Sequence, residues 1–356
     1  MAYRIIIIIL IIVSTTFCFG TSFKAVNNST LKSDPHSYHH IVGCSIFDKN
    51  GKKIWHYNGY ICLFQKNGSF VVAEKNRINM YDKNFNLLWT INRPIHHQVN
   101  WNNDKTEILA MSEIYKPFGK ELVKYDNLLV IDLNGIIKKE FSFYKHRGEL
   151  DKISSDNTYR FWEINKDIRR NHNVSKEFSH SNSFYQIPQV RTTKLKKVFS
   201  SDNYIVNVNK HYMIIVLDKD LSKILWSINH KEIGNDVNMH DVQVTQNGML
   251  IYYYNRLDQK YSTIERYNLQ TKKSEILYAS TPKNSFFEKY DGGVQLLENG
   301  NIFFHLMKNK RFTPIEYDFK GTKKIVWSKP MESIIHQKQQ IKRANLSDFL
   351  MNNKGL

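Results

Sequence analysis

The stretch Ile46-Phe47-Asp48-Lys49-Asn50-Gly51-Lys52-Lys53-Ile54-Trp55 decides the fold. An apolar pair runs into an Asp/Asn/Gly turn, and an apolar residue and an indole follow. Asp and Asn bond their own backbone in tight turns, and Gly supplies positive φ, so the pattern reads as a hairpin. It returns as Met80-Tyr81-Asp82 to Trp89, as Val216-Leu217-Asp218 to Trp226, and as Glu316-Tyr317-Asp318 to Trp327. Weaker copies run from Asp132 to Phe141 and from Asn268 to Tyr278. Four of the six tryptophans take the final position, which makes the aromatic part of a repeat.

A second set of turns alternates with the first: Asn67-Gly68, Asn103-Asp104, Asp156-Asn157, Asp202-Asn203, Asn247-Gly248 and Asn299-Gly300. Each leads into a β-rich run, such as Phe70 to Ala73 or Met249 to Tyr252, and they lie 36 to 53 residues apart. Two hairpins per period of this length make one four-stranded blade. The expected fold is all-β, a β-propeller of six four-stranded blades, with seven or eight as alternatives. The hairpin at Asp48–Trp55 precedes the first turn, and residues 160–178 lack a clear Asp…Trp pair. An N-terminal hairpin that completes a blade begun at the C-terminus accounts for the first of these. It also closes the ring and removes free sheet edges.

Working outward, residues 5–13 are nine consecutive apolar residues after Arg4, followed by Ser14, Thr15, Thr16, Gly20 and Thr21. That order is a secretory signal, too short for a comfortable span, with an uncleaved anchor as the alternative. The expected organisation is a signal peptide over 1–20, a linker over 21–40, the propeller over 41–330 and an extension over 331–356, with a helix at Met331–Arg343. The expected location is periplasmic or secreted, with no stable membrane span after cleavage. Cys44 and Cys62 would then meet an oxidising compartment, where a disulfide and two buried thiols are equal expectations.

The chain of 356 residues is long enough for a sizeable core. Its net charge of +18 is spread as short Lys pairs and suits anions or an anionic surface. No nucleic-acid-binding motif is visible, and a generally basic solvated surface is the simplest account of the charge.

Three histidine motifs stand ahead of blade turns. They are Pro94-Ile95-His96-His97-Gln98-Val99-Asn100, Ser179-His180-Ser181-Asn182-Ser183-Phe184, and Met239-His240-Asp241-Val242-Gln243-Val244. The corresponding place late in the chain reads Asp291-Gly292-Gly293-Val294-Gln295, without histidine. Equivalent placement in successive blades would gather His97, His180 and His240 at one channel mouth. Three histidines can also ligate a metal, but no Cys or nearby carboxylate accompanies them in sequence, so no metal is expected.

Residues His180 to Trp327 resemble the bacterial arylsulfate sulfotransferase family, periplasmic six-bladed propellers. The resemblance rests on His180-Ser181-Asn182-Ser183, on Val216-Leu217-Asp218 to Ile224-Leu225-Trp226, on His240-Asp241-Val242-Gln243 with Asn247-Gly248, and on Gly293-Val294-Gln295-Leu296 with Asn299-Gly300-Asn301. His96-His97 is similar to the family's His-His-Asp, with Gln98 in place of the acid.

The resemblance implies an aryl sulfate donor, a phenolic acceptor, a sulfohistidine intermediate and no cofactor or metal. It makes His240 the nucleophile and His97 and His180 catalytic partners. It also places His96, Asn182, Asn209 and Lys210 around the substrate. Asn209 stands where the family has arginine, and strand alternation would turn Lys210 to the opposite face. The rival reading is a non-catalytic propeller that scaffolds or binds partners at the cell envelope. A quinoprotein dehydrogenase is the third.

Overall fold

The structure is a computed structural model. It describes residues 39–154, 162–163, 174–191, 197–234, 239–256, 260–279, 287, 292–297, 299–308, 311–328, 341–344 and 346–353. The expected signal peptide lies outside them. Among the described residues, no helix is long and apolar enough to cross a membrane.

Six blades of four antiparallel strands form a ring. The chain enters with β1 (His39–Val42), β2 (Ser45–Phe47) and β3 (Lys53–His56). Blade two follows as β4 (Ile61–Phe64), β5 (Phe70–Glu74), β6 (Arg77–Tyr81) and β7 (Leu87–Ile91). Blade three is β8 (Ile95–Trp101), β9 (Glu107–Phe118), β10 (Glu121–Asp132) and β11 (Ile137–Ser142). After helix α1 (Arg147–Ile153) come two short strands, β12 (Trp162–Glu163) and β13 (Val174–Glu177). They add to the far side of blade three, with β13 parallel to β10.

Blade four is β14 (Ser181–Gln186), β15 (Tyr204–Val208), β16 (Met213–Leu217) and β17 (Ile224–Asn229). Blade five is β18 (Met239–Val244), β19 (Met249–Arg256), β20 (Tyr261–Asn268) and β21 (Lys273–Ala279). Blade six is β22 (Val294–Leu296), β23 (Ile302–Lys308), β24 (Arg311–Asp318) and β25 (Lys324–Ser328). Finally β26 (Ile341–Ala344) pairs with β1, so both chain ends build the closing blade, in the order β26-β1-β2-β3.

Each of the six Asp/Asn…aromatic hairpins joins the third and fourth strands of a blade. The Asp is retained for backbone reasons. Asp48 Oδ1 accepts from the N–H groups of Asn50 and Lys52 at 2.8 and 2.9 Å. Asp82 and Asp132 repeat this pair of bonds. The indole bridges blades: Trp89 Nε1 donates to Leu133 O at 2.8 Å in the next blade. A Cβ on Gly135 would lie 2.8 Å from that ring, so only glycine fits there.

The other turn set was counted to six by a different route from the one the chain takes. Asp156-Asn157 lies outside the described residues, and Trp162–Glu163 pairs with β13 instead of opening a blade. The blade without such a turn is the closing one, β26-β1-β2-β3. Its first and second strands come from opposite chain ends, so no turn joins them.

That junction is held three ways. β26 pairs with β1. A disulfide joins Cys44, between β1 and β2, to Cys62 on β4 in blade two. Helix α2 (Ser347–Asn352) buries Phe349 and Leu350 against an aromatic cluster that includes Trp55, Phe64 and Phe70. The ring strands begin at His39, inside the stretch read as a linker. The last three residues of the expected Met331–Arg343 helix belong to β26. Residues 331–340 are outside the described set.

Candidate active site

The first strand of each blade leads to a backbone bond that closes the first turn, from Gln65, Asn102, Ile187, Thr245 and Leu297. Five residues before these lie Tyr60, His97, Asn182, His240 and Gly292. The strict equivalent of His97 and His240 in blade four is therefore Asn182, and His180 sits two residues upstream. Bulges decide where the side chains go. The β8, β14 and β18 ladders each shift register at these motifs. His97, His180 and Asp241 take positive φ of 58°, 45° and 52°. An extra residue in a strand bends it and re-aims its side chain. Blade six has glycine at this position, where a Cβ would stand 2.2 Å from the Tyr253 ring.

His97 and His180 meet across the blade three–blade four boundary, with their Nε2 atoms 3.2 Å apart. The His96 ring lies 3.8 Å from that of His97 and 5.3 Å from that of His180, centroid to centroid. Carboxylates that sequence reading missed surround them. Glu177 Oε2 is 2.7 Å from His180 Nδ1, and Asp126 Oδ1 is 3.1 Å from His96 Nδ1. Glu113 Oε1 is 3.9 Å from His96 Nε2. All three acids are buried.

Their positions follow from the long β9–β10 hairpin. It pairs Glu113 with Asp126, and β13 sets Glu177 beside Lys124. A signal for Asp126 does exist in the sequence: it is an acid inside the apolar run Tyr125 to Ile131. Glu177 had none, because its place depends on the insertion folding back onto β10.

Two lysines share the pocket. Lys124 Nζ pairs with Glu177, lies 3.4 Å from Glu113 Oε1, and is 3.3 Å from His96 Nε2. Lys210 corrects an expectation. The strand ends at Val208, and Asn209–His211 form a 3-10 turn, so strand alternation no longer governs Lys210. Its backbone N–H donates to Ser179 O at 3.1 Å, beside His180. Burial lowers the Lys210 ammonium pKa to about 7, with Glu177 opposing and Lys124 reinforcing the shift. Asn209 opens the same turn and is buried. Burial alone would raise the Glu177 carboxyl, but His180 and Lys124 hold it well below the usual range.

His240 is not among the three histidines that group together, and is held instead by Asn182. The Asn182 amide donates to Met239 O at 2.7 Å and lies 3.1 Å from His240 Nδ1, while its oxygen accepts from Asn207 at 2.6 Å. Asn207 also donates to Met239 O. Turning either amide over would set oxygen against oxygen, so the network assigns Nδ2 of Asn182 as the donor to His240 Nδ1. A neutral His240 then carries its proton on Nε2. Burial, aided by the nearby His180, pushes its pKa down to about 3.

The ring axis itself is filled. Lys342 on β26 donates to Asn100 Oδ1 on β8, and Gln98 on β8 donates to Asp241 Oδ1 on β18 at 3.4 Å. These pairs join non-adjacent blades, so they cross the channel. Tyr185 also donates to Asp241 Oδ1, and Val294 N–H donates to Oδ2 at 2.8 Å. Gln98, standing where the resembling family has an acid, is thus a bridge to the acid of another blade.

The chain is similar in fold to several solved structures. It resembles a protein of unknown function from Bacteroides caccae, at TM-score 0.53 and 14% identity, over 87% of this chain and 99% of that one. It also resembles TolB from Acinetobacter baumannii at 0.46 and 10%, over 83% and 64%. A dihydro-heme d1 dehydrogenase, NirN, scores 0.38 at 10%, over 90% and 77%. No known family model and no curated protein match the chain. At these identities the likeness is one of fold, and function has to be read from the pocket.

Proposed function

We propose that the chain is an arylsulfate sulfotransferase-like enzyme that moves a sulfuryl group from an aryl sulfate to a phenol through a sulfohistidine. The supporting observation is the His97–His180 pair, 3.2 Å apart and backed by Glu177. With Glu177 on its Nδ1–H, a neutral His180 keeps the Nε2 lone pair that a nucleophile needs. His97 then presents an Nε2–H toward it. The tautomer that the Asn182 amide assigns to His240 instead offers an Nε2–H. The His180 side chain is 28% exposed, while His240 is 7% exposed.

The geometry therefore favours attack by His180 on sulfur, where the resemblance assigns His240. The N–S bond forms as the S–O bond to the aryl group breaks, and the phenolate takes the Nε2 proton of His97 in its imidazolium form, leaving His97 neutral. An acceptor phenol then gives its proton back to His97 as its oxygen attacks sulfur, and the N–S bond breaks to return neutral His180. The ammonium groups of Lys210 and Lys124, with the Nε2–H of His240, face the sulfuryl oxygens in place of the family arginine. We also propose export, in keeping with the N-terminal signal pattern and the Cys44–Cys62 disulfide. The test is transfer from p-nitrophenyl sulfate to phenol. A chain that binds but never transfers would be the envelope scaffold instead.

A further inference from the structure

We infer that His96, His97 and His180 form a binding site for a divalent transition-metal ion of the zinc type. This goes beyond the sulfuryl-transfer reading and does not depend on it. One ligand atom from each of the three histidines lies within 4.8 Å of the others. The 3.2 Å between the Nε2 atoms of His97 and His180 matches one edge of a tetrahedron with metal–nitrogen bonds of about 2.0–2.1 Å. An inward swing of the His96 ring would close the other two edges, which now lie within 4.8 Å.

The sequence argued against a metal because no carboxylate stood near these histidines. The fold supplies them. Asp126 faces Nδ1 of His96 and Glu177 faces Nδ1 of His180. The Glu177 hydrogen bond to Nδ1 fixes the His180 tautomer that leaves Nε2 as a ligand, and it raises the basicity of that ring. Glu113, Asp126 and Glu177 also outnumber Lys124 and Lys210 in the pocket, which favours a cation. Three protein ligands leave one tetrahedral position for water or an oxygen of a bound anion. Metal and sulfuryl ester would compete for the same nitrogens.

Lys124 makes the proposal specific. Its ammonium lies 3.3 Å from His96 Nε2 and so holds a positive charge where the ion would sit. It must withdraw for the metal to enter.

The experiment is titration of the purified full chain with zinc by calorimetry, and with cobalt(II) by visible absorption. One saturable site is expected, with the absorption of tetrahedral cobalt. His180→Ala should weaken binding by at least about 100-fold, and Glu177→Gln by about 10- to 100-fold. His97→Asn should weaken binding as His180→Ala does while keeping the left-handed backbone at that position, since Asn tolerates it. Lys124→Met should tighten binding. The inference is overturned if no saturable binding occurs, if His97→Asn and His180→Ala bind as wild type does, or if Lys124→Met weakens binding while the fold is intact by circular dichroism.

Discussion

The Nε2 atoms of His97 and His180 lie 3.2 Å apart, although the residues come from neighbouring blades and stand 83 positions apart in the chain. Only a ring of blades brings them together, and only the bulges at both motifs turn the imidazoles toward each other. One consequence concerns which ring takes the sulfuryl group. Peptide mapping of protein trapped with p-nitrophenyl sulfate should find the group on His180. His180→Ala should lose transfer by at least about 10³-fold. His240→Ala should retain a measurable rate, reduced by about 10²- to 10³-fold, as expected for a lost oxyanion donor. A label on His240 would return the nucleophile to the residue that the resemblance assigns.

Lys210 gives a pH signature. In the proposed reaction its ammonium faces the oxygens of a singly charged sulfuryl group, and burial lowers its pKa to about 7. The charged form is present below that value and lost above it. KM for the sulfate ester should therefore rise as pH passes upward through about 7. Lys210→Met should raise KM and flatten that dependence. An unchanged profile in the variant would remove Lys210 from the site.

Buried neutral histidines predict acid lability. Burial pushes His230 down to about 3 and His211 and His305 down to about 4, from 6.5. The native state binds fewer protons than the unfolded chain between those values, so stability is full above pH 6.5 and falls as pH drops toward 3 to 4. Urea midpoints measured from pH 7.5 to 4 should decline over this window. His305→Gln, which cannot ionise, should decline less steeply. A flat profile in the wild type would contradict the buried neutral assignments.

The Cys44–Cys62 disulfide ties the closing blade to blade two across a sequence separation of 18. Loop closure of that size is worth about 3 kcal/mol in the unfolded-chain model. The double replacement by Ala should lower Tm and shift the denaturant midpoint by about that free energy. Reduction of the wild type should act in the same direction. Equal stability of oxidised and reduced protein would show that β26 and α2 close the ring unaided.

How much of this was legible from the sequence depends on whether the signal was local. The hairpin repeat was, because Asp48, Asp82 and Asp132 bond only to their own turns. It identified one hairpin in every blade. The turn at Asp156-Asn157 lies outside the described residues, and Trp162–Glu163 beyond it joins the sheet of blade three, while the closing blade has no such turn to show. Of the proposed site, His96, His97, His180 and His240 were singled out from their motifs, and the structure groups the first three. Glu177 and Lys124 were not, because they meet only when the insertion lays β13 parallel to β10. Lys210 was turned the wrong way because alternation was extended past Val208 into a 3-10 turn. The ring closure was legible in the out-of-phase first hairpin, whereas Lys342 was not, since its partner Asn100 lies 242 residues away.

The most direct test of the central proposal is transfer by the purified, disulfide-intact chain from p-nitrophenyl sulfate to phenol. The account predicts p-nitrophenol release that requires phenol, yields phenyl sulfate in equal amount, and disappears in His180→Ala with the fold retained. No transfer by wild-type protein with any of several aryl sulfates and phenols would contradict it.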